Sequence, residues 1–113
     1  MKVFVYGGFR RKQDGSRWMS NAQWVGAYPL AGYDLYDLGF YPAAVPGDGT
    51  IEGEVYRIDS AILQQLDHLK HVPREFRRQL IMTPWGRSWI YLYQRPVTHL
   101  KSIPSGDWLQ RSS

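Results

Sequence analysis

The residues that follow the first apolar stretch are the clearest candidate for a binding site. The chain runs Tyr6-Gly7-Gly8-Phe9-Arg10 directly after a strand-like pattern at 2–6. Two consecutive glycines allow positive φ, so several backbone N–H groups can converge on one point and bind a carboxylate or a phosphate. The alternative is an ordinary tight turn. No Gly-Lys-Ser/Thr and no third glycine at the required spacing follow, which excludes both common nucleotide-binding motifs.

Carboxylates that could act as a general base occur at two places. Glu54 lies in a strand pattern and shares a face with Glu52 and Tyr56, so it points either into the mouth of a barrel or into water. Glu75 stands just before another strand pattern and is surrounded by arginines, where the alternative is a surface ion pair of small energetic value.

The histidines are candidates for a metal site only on spacing. His68 and His71 lie three residues apart in a helical pattern, beside Asp67, and no third ligand is apparent nearby. His99 is alone. The better interpretation is the solvent-exposed end of a helix, where positive charge is favourable. We therefore predict no metal site.

The basic residues favour a solvated surface over a nucleic-acid interface. With 14 basic and 10 acidic residues, the net charge of +4 permits an anionic small molecule and demands no polyanion. Aromatic residues beside basic ones suit single-stranded nucleic acid. Here, however, the aromatic residues alternate in strands and are needed for the core. The basic residues concerned are Arg10, Arg11, Lys12, Arg17, Lys70, His71, Arg74, Arg77 and Arg78.

Length and composition indicate one globular domain over 1–113, which we expect to be a monomer. The absence of cysteine excludes disulfides, cysteine nucleophiles and cysteine-ligated zinc, and it fits a cytoplasmic protein. No apolar run approaches 18 residues, so we expect no membrane span, and the N-terminus lacks the features of a signal peptide.

The hydrophobic patterns predict about six short strands and one good helix. The helix begins at Asp59 or Ser60 and ends near His71. The tail at 104–108 can bring Trp108 onto the body. Such a sheet would be mostly antiparallel and would curl into an open barrel around the helix. The other predicted segments are a strand at 2–6, a loop at 9–16, a helical turn at 17–21, two short strands or one kinked strand at 22–38, a loop at 39–49, a strand at 50–58, and a hairpin with strands at 75–83 and 88–94.

Taken in order, several segments resemble the gamma-glutamylcyclotransferase-like proteins, in particular a bacterial member. The resemblance covers essentially the whole chain. It implies an α/β fold, a small mixed β-barrel or sheet with one main helix and a cavity at one end. The segments include 3–10, 21–23, 39–43, 53–59, 66–67, 76–78, 93–97 and the Gly-Asp-Trp tail at 106–108.

The resemblance also implies a reaction that requires no cofactor. The α-amino group of a γ-glutamyl unit attacks its own γ-carbonyl, 5-oxoproline forms, and an amine or amino acid leaves. An active member would be a transferase or a lyase. The loop of Tyr6, Gly7, Gly8 and Phe9 would hold the γ-glutamyl end of the substrate through its backbone N–H groups.

The sequence departs from the family pattern at the catalytic position. Active relatives carry a Glu three residues after the Asp of the Leu-Asp pair, and here that position is Lys70. Lys70 could act as a base only with a strongly lowered pKa, which exposure at a helix end would limit. Glu75 is a weak candidate for the replacement base, because strand alternation puts it on the opposite face from Phe76. The catalytic residue therefore stays unknown.

Three further departures affect the substrate contacts. Phe76 replaces the usual Tyr, Gly8 replaces Ser or Thr, and Phe9 replaces Leu, so hydroxyl contacts to a substrate are lost.

Three hypotheses remain open at this point. The first is a protein that binds a γ-glutamyl or other small carboxylate ligand, with release of 5-oxoproline undecided. The second is a non-catalytic binding or interaction module that uses the same pocket. The third, less favoured, is nucleic-acid binding.

Overall fold

A computed structural model describes residues 1–10 and 14–111, without the side chains of 14–16. Arg11, Lys12 and Gln13 therefore lie outside this description. Of the loop expected at 9–16, the last three residues were predicted wrongly, because a 3₁₀ helix begins at Asp14 rather than at residue 17. Two short 3₁₀ helices span Asp14–Met19 and Trp108–Gln110. The main elements are β1 (Lys2–Val5), β2 (Gln23–Asp37), β3 (Pro42–Arg57), α1 (Ser60–Leu69), β4 (Phe76–Thr83), β5 (Gly86–Tyr93) and β6 (Lys101–Ser102).

The strands of the described residues form one mixed sheet in the order β4-β5-β1-β3-β2-β6. β1 lies in the middle, antiparallel to β3 and parallel to β5. The sheet curls until its two halves meet. The Trp85 ring, between β4 and β5, packs so closely on Gly26 of β2 that a Cβ there would lie 2.6 Å from it. The fold expected from the sequence is confirmed.

The sheet separates two hydrophobic clusters, because alternate side chains of each strand face opposite sides. Phe4 belongs to the cluster inside the curl, together with Trp108 of the tail. Val3 and Val5 belong to the other cluster, which contains Leu66 of α1. The helix therefore covers the side of the sheet away from the curl. The expectation that the sheet curls around the helix was wrong, since aromatic and aliphatic side chains fill the curl instead.

β2 is one long strand with two irregularities, so the kinked-strand alternative is confirmed. Its pairing with β3 shifts register between Trp24 and Gly26 and again between Ala31 and Tyr33. Gly32, in the second shift, has a φ of 96°, which a residue with a Cβ rarely adopts. These bulges increase the local twist and help the sheet to curl.

The loop predicted at 39–49 was wrong for most of its length, because β3 begins at Pro42. Prolines and glycines there suggested a loop, yet this part of the strand pairs with β2 alone, while β1 pairs only from Glu54 onward. Pro46 can therefore point its missing donor away from the ladder. The carboxylate of Asp34 accepts the amide of Gly49 at 2.9 Å and holds the strand in place.

The helix, the hairpin and the tail follow the sequence expectations closely. Asp59 is the N-cap of α1, and its carboxylate accepts the amide of Ile62 at 2.8 Å. The turn between β4 and β5 closes with Thr83 opposite Gly86. Trp108 is buried against the body. At the other end of α1, Leu66 and Lys70 line one cavity with Val5, the last residue of β1, where the candidate loop begins.

Candidate ligand site at the end of the first strand

The loop after β1 forms a tight turn, and three of its amide groups have no hydrogen-bond acceptor among the described residues. The amide of Arg10 donates to the carbonyl of Gly7 at 3.0 Å and closes the turn. Among the residues that the structure describes, no acceptor takes the amide protons of Gly7, Gly8 or Phe9. These three N–H groups are therefore available to an anion, as the sequence pattern suggested.

The reason for the two glycines differs from the expected one. Neither Gly7 nor Gly8 is among the glycines with positive φ, so the left-handed conformation expected of them was wrong. Instead, Gly7 is needed because there is no room for a side chain: a Cβ at this residue would lie 2.7 Å from Cδ of Pro42. A Cβ at Gly8 would meet nothing within 4 Å. Gly8 is therefore the open side of the turn.

Lys70 lies at this site and is buried, which is unusual for a lysine. It is the C-cap of α1, and its amide donates to the carbonyl of Leu66 at 2.9 Å. The residue is only 8% exposed, although it was expected to be exposed at a helix end. Its Nζ lies over four aromatic rings, 4.8–5.8 Å from their centroids. The rings are those of Phe76, Phe9, Tyr41 and Tyr6.

Burial changes the acid–base chemistry of this lysine. Removal from water disfavours the ammonium form and lowers the pKa of Lys70 to about 8. The pKa is lowered by desolvation, because Lys70 is buried and not exposed at the helix end as expected. Part of the amine is therefore neutral near physiological pH, and the rings stabilise the charged part.

The cavity at this end of the sheet joins the loop to Lys70. Tyr6, Gly7 and Phe9 line it, so three of the four expected substrate-binding residues meet here, while Gly8 lies at its edge rather than in its wall. Beside the Lys70 side chain there is room for about one water molecule. No carboxylate lines this cavity in the described part of the chain. The remaining lining residues are Phe4, Val5, Leu66 and Tyr91.

Glu75 does not line the cavity, but it contacts a residue that surrounds Lys70. Its carboxylate accepts a hydrogen bond of 3.4 Å from the hydroxyl of Tyr41, whose ring is one of the four around Lys70. Burial and the Glu75 carboxylate raise the pKa of Tyr41. Glu75 is thus connected to the lysine through Tyr41, and it does not line the cavity itself.

Arg10 attaches the loop to the rest of the fold. Its guanidinium lies 3.3 Å from the carboxylate of Glu54 and 2.8 Å from that of Asp107. The hydroxyl of Tyr56 also donates to Glu54 at 3.0 Å. Glu54 therefore points neither into the cavity nor into water, but into a buried network that fixes the far end of the turn.

Tyr6 and Tyr91 close the floor of the cavity. The hydroxyl of Tyr6 donates to the carbonyl of Tyr91 at 2.5 Å, and burial raises the pKa of Tyr6 well above its usual range. The hydroxyl of Tyr91 donates to Asp67 at 2.7 Å, and Arg78 lies 2.9 Å from the same carboxylate. Asp67 therefore acts in this structure as a bridge between α1, β4 and β5.

The other candidates from the sequence lie away from this cavity. His68, His71 and His99 are exposed, and no three acidic or histidine side chains in the described ranges are arranged to hold a metal. Of the basic residues proposed for nucleic acid, Lys70 is buried, Arg10 is paired with Glu54 and Asp107, and Arg78 is paired with Asp67. None of the helices described is long and apolar enough to cross a membrane.

Comparison with known proteins assigns the chain and its fold to a family. The family described as gamma-glutamyl cyclotransferase, AIG2-like, matches residues 3–110. The chain therefore belongs to that family, as its motifs predicted.

Individual relatives agree over the whole chain. The gamma-glutamylcyclotransferase family protein YtfP of Escherichia coli (strain K12) is 58% identical over 111 residues, which cover 98% of both chains. The solution NMR structure of ytfP from Escherichia coli matches with a TM-score of 0.83 at 57% identity and covers both chains completely. The crystal structure of PH0828 from Pyrococcus horikoshii matches with a TM-score of 0.82 at 26% identity, covering 96% and 89% of the two chains. The expected similarity to bacterial YtfP is thereby confirmed.

The sequence singles out Lys70, but it does not reveal the surroundings of this side chain. The four rings come from the loop after β1, the segment before β3 and the start of β4, and they are brought together only by the fold. One available signal was the high share of aromatic residues, 15% of the chain, in segments that also carry the family motifs.

Proposed function

We propose that this protein binds a small carboxylate-bearing ligand, such as the γ-glutamyl end of a γ-glutamyl compound, between the Tyr6–Phe9 loop and the Lys70 ammonium. One observation carries the proposal, namely a buried lysine whose cavity is lined by no carboxylate of the described residues. A buried charge without a counter-ion is costly, and contacts with aromatic rings offset only part of that cost. A carboxylate ligand would supply the missing negative charge.

The amide groups of the loop support the same ligand class. The N–H groups of Gly7, Gly8 and Phe9 have no acceptor among the described residues, and Gly7 belongs to the same cavity wall as Lys70. Hydrogen bonds from amides to a carboxylate are stronger than those to a neutral acceptor. One ligand carboxylate can thus be bound by an ammonium on one side and by amides on the other.

Entry of the ligand requires a movement of the cavity wall, since the space beside Lys70 holds about one water molecule. Phe9 is the element suited to move. It is half-buried and lies in the loop, whereas Tyr6 and Phe76 are fully packed. Arg10 keeps the end of the loop attached while the Phe9 ring swings outward.

Isothermal titration calorimetry with 5-oxoproline and with a γ-glutamyl amine tests the binding. We expect Lys70→Met to weaken binding at least about tenfold, because it removes a charge-assisted contact. Lys101→Met is the matched control, since it makes the same change in net charge on the exposed strand β6. Equal binding by wild type and Lys70→Met, or no binding by the wild type, would contradict the proposal.

A second candidate function is slow release of 5-oxoproline, with Lys70 in the role of the missing base. With a pKa of about 8, roughly a tenth of Lys70 is neutral at pH 7. A neutral Lys70 takes a proton from the α-ammonium of the ligand, and the freed amine attacks the γ-carbonyl. The attacking nitrogen loses a second proton to water, the bond from the γ-carbon to the leaving nitrogen breaks, and the leaving nitrogen receives the proton from Lys70.

Measurement of 5-oxoproline release from a panel of γ-glutamyl amines and γ-glutamyl dipeptides tests this second function. Turnover that is lost in Lys70→Ala and kept in Glu75→Gln assigns the base to Lys70. Turnover that is lost in Glu75→Gln assigns it to Glu75, acting through Tyr41. No turnover across the panel, with carboxylate binding intact, leaves the protein as a non-catalytic binding module.

The cytoplasmic location, the monomeric state, the single domain over 1–113 and the independence from any cofactor stay predictions from the sequence.

A further inference from the structure

The amine of Lys70 has surroundings that favour one further kind of chemistry. A lysine that is buried, partly neutral and free of a carboxylate partner in its cavity is a nucleophile for carbonyl compounds. Burial lowers the pKa of Lys70 to about 8, and the amine therefore loses its proton far more readily than an ordinary lysine. The geometry supports the same conclusion, because Lys70 lines the cavity and forms no ion pair with another described residue.

The four rings around Nζ match the charge of the product. The neutral amine adds to a carbonyl carbon and gives a carbinolamine, which expels water and leaves a C=N bond. The protonated imine carries the same single positive charge as the ammonium form. The rings of Phe76, Phe9, Tyr41 and Tyr6 lie 4.8–5.8 Å from Nζ and stabilise a cation at this point.

We propose that Lys70 forms a reversible imine with a short 2-oxo acid, whose carboxylate is held by the amides of the Gly7–Phe9 turn. This inference rests on the proposed carboxylate site and extends it to a substrate class. The turn and the lysine line one small cavity, so the carboxylate and the reacting carbonyl must be close together in a small molecule. In a 2-oxo acid these two groups are directly bonded.

Reductive trapping in the wild-type protein tests this directly. The full chain is incubated with pyruvate and sodium cyanoborohydride near pH 7.5, and the modified lysines are identified by peptide mass mapping. The chain has four lysines, and Lys2 and Lys101 serve as internal controls. We expect Lys70 to be modified at least about tenfold faster than either, because its neutral fraction is larger.

A ligand control separates recognition from mere reactivity. Acetone carries the carbonyl without the carboxylate, so we expect it to modify Lys70 at least about tenfold more slowly than pyruvate. The variant Lys70→Arg keeps a cation at this position and cannot form an imine, so it should take no label there. Circular dichroism checks that this variant is folded, and the comparison among lysines of the wild type requires no variant.

The results distinguish the two proposals. If 5-oxoproline binds in calorimetry while pyruvate modifies Lys70 no faster than Lys101, the imine is overturned and the carboxylate site stands. If neither ligand has any effect, both proposals are overturned. Preferential modification of Lys70 by pyruvate and not by acetone supports both.

Discussion

Two cations lie close to the same loop, and their environments are opposite, although Lys70 is buried and Arg10 is also largely withdrawn from water. Arg10 has two carboxylate partners, Glu54 and Asp107, at 3.3 and 2.8 Å. Lys70 lies over four aromatic rings, and its cavity has no carboxylate in its described wall. Both are near the Tyr6–Phe9 turn, yet only one has its charge neutralised by the fold.

This difference separates a structural charge from one that is available to a ligand. The Arg10 network connects the loop to β3 and to the C-terminal tail, which come together only in the folded chain. Lys70 makes no comparable contribution, because its burial disfavours the charge it carries. This distinction between Arg10 and Lys70 would be wrong if removal of either charge changed the stability of the fold in the same way.

The largest effect is expected from Arg10→Met. Removal of the guanidinium takes away a cation that lies 3.3 Å from the carboxylate of Glu54, a residue that is only 6% exposed. We expect the free energy of unfolding to fall by about 3 kcal/mol, measured by urea denaturation. Glu52→Gln on the same strand is a control that changes a partly exposed carboxylate. A loss no larger than that of the control would remove Arg10 from its structural role.

A smaller effect is expected from Gly7→Ala, compared with Gly8→Ala. A Cβ at Gly7 would lie 2.7 Å from Cδ of Pro42, whereas Gly8 has open space. We expect Gly7→Ala to lower the free energy of unfolding by about 2 kcal/mol and Gly8→Ala to change it by less than about 0.5 kcal/mol. Thermal denaturation of the two variants measures this. Equal losses would show that the turn is not packed on one side and open on the other.

Lys70→Met should act in the opposite direction from Arg10→Met. Methionine keeps much of the apolar chain and removes the charge, so the penalty for its burial disappears, while the contacts with the rings are partly kept. We expect the free energy of unfolding to increase by about 1 kcal/mol, together with the loss of carboxylate binding. Destabilisation by this variant would mean that Lys70 is a structural cation like Arg10.

The pH dependence of stability should also reflect the burial of Lys70. The folded protein releases the Lys70 proton near pH 8, whereas an unfolded lysine keeps it to about pH 10.4. Between these values the unfolded state binds more protons, so the free energy of unfolding should rise with pH. Tyr6, Tyr41 and Tyr91 have raised pKa values and act in the opposite sense, but only above about pH 10.

The measurement is urea denaturation of the wild type and of Lys70→Met at several pH values between 7.5 and about 9.5. The difference in the free energy of unfolding between the two proteins should decrease as the pH rises, since the wild type regains stability. A difference that stays constant with pH would argue against a lowered pKa of Lys70.

Local patterns were sufficient for much of the fold. The cap at Asp59 and the turn at Gly86 depend on residues near one another in sequence, and their positions were predicted. The burial of Trp108 was predicted as well, although this residue packs in one cluster with distant residues such as Phe4. The first part of β3 was missed because Pro42 and Pro46 usually mark loops. The sheet tolerates these prolines because the first part of β3 pairs with a strand on one side only. No short window of the sequence contains that information.

The candidate site could be predicted only in part for the same reason. Tyr6, Gly7 and Phe9 follow a strand and were recognised from their position. The burial of Lys70 depends on Tyr41 and Phe76, which lie 29 and 6 residues away and come from different strands or their flanking segments. A helix-end lysine is usually exposed, and only the packing of these rings reverses that expectation.

Lys70 is buried, no carboxylate of the described residues lines its cavity, and we therefore expect it to bind a carboxylate ligand. NMR titration of the side-chain Cε and its protons gives the pKa of Lys70 directly, with and without 5-oxoproline. We expect a pKa of about 8 in the free protein and a clear increase when the ligand binds, because its negative charge favours the ammonium form. An ordinary lysine pKa that the ligand leaves unchanged would contradict the claim.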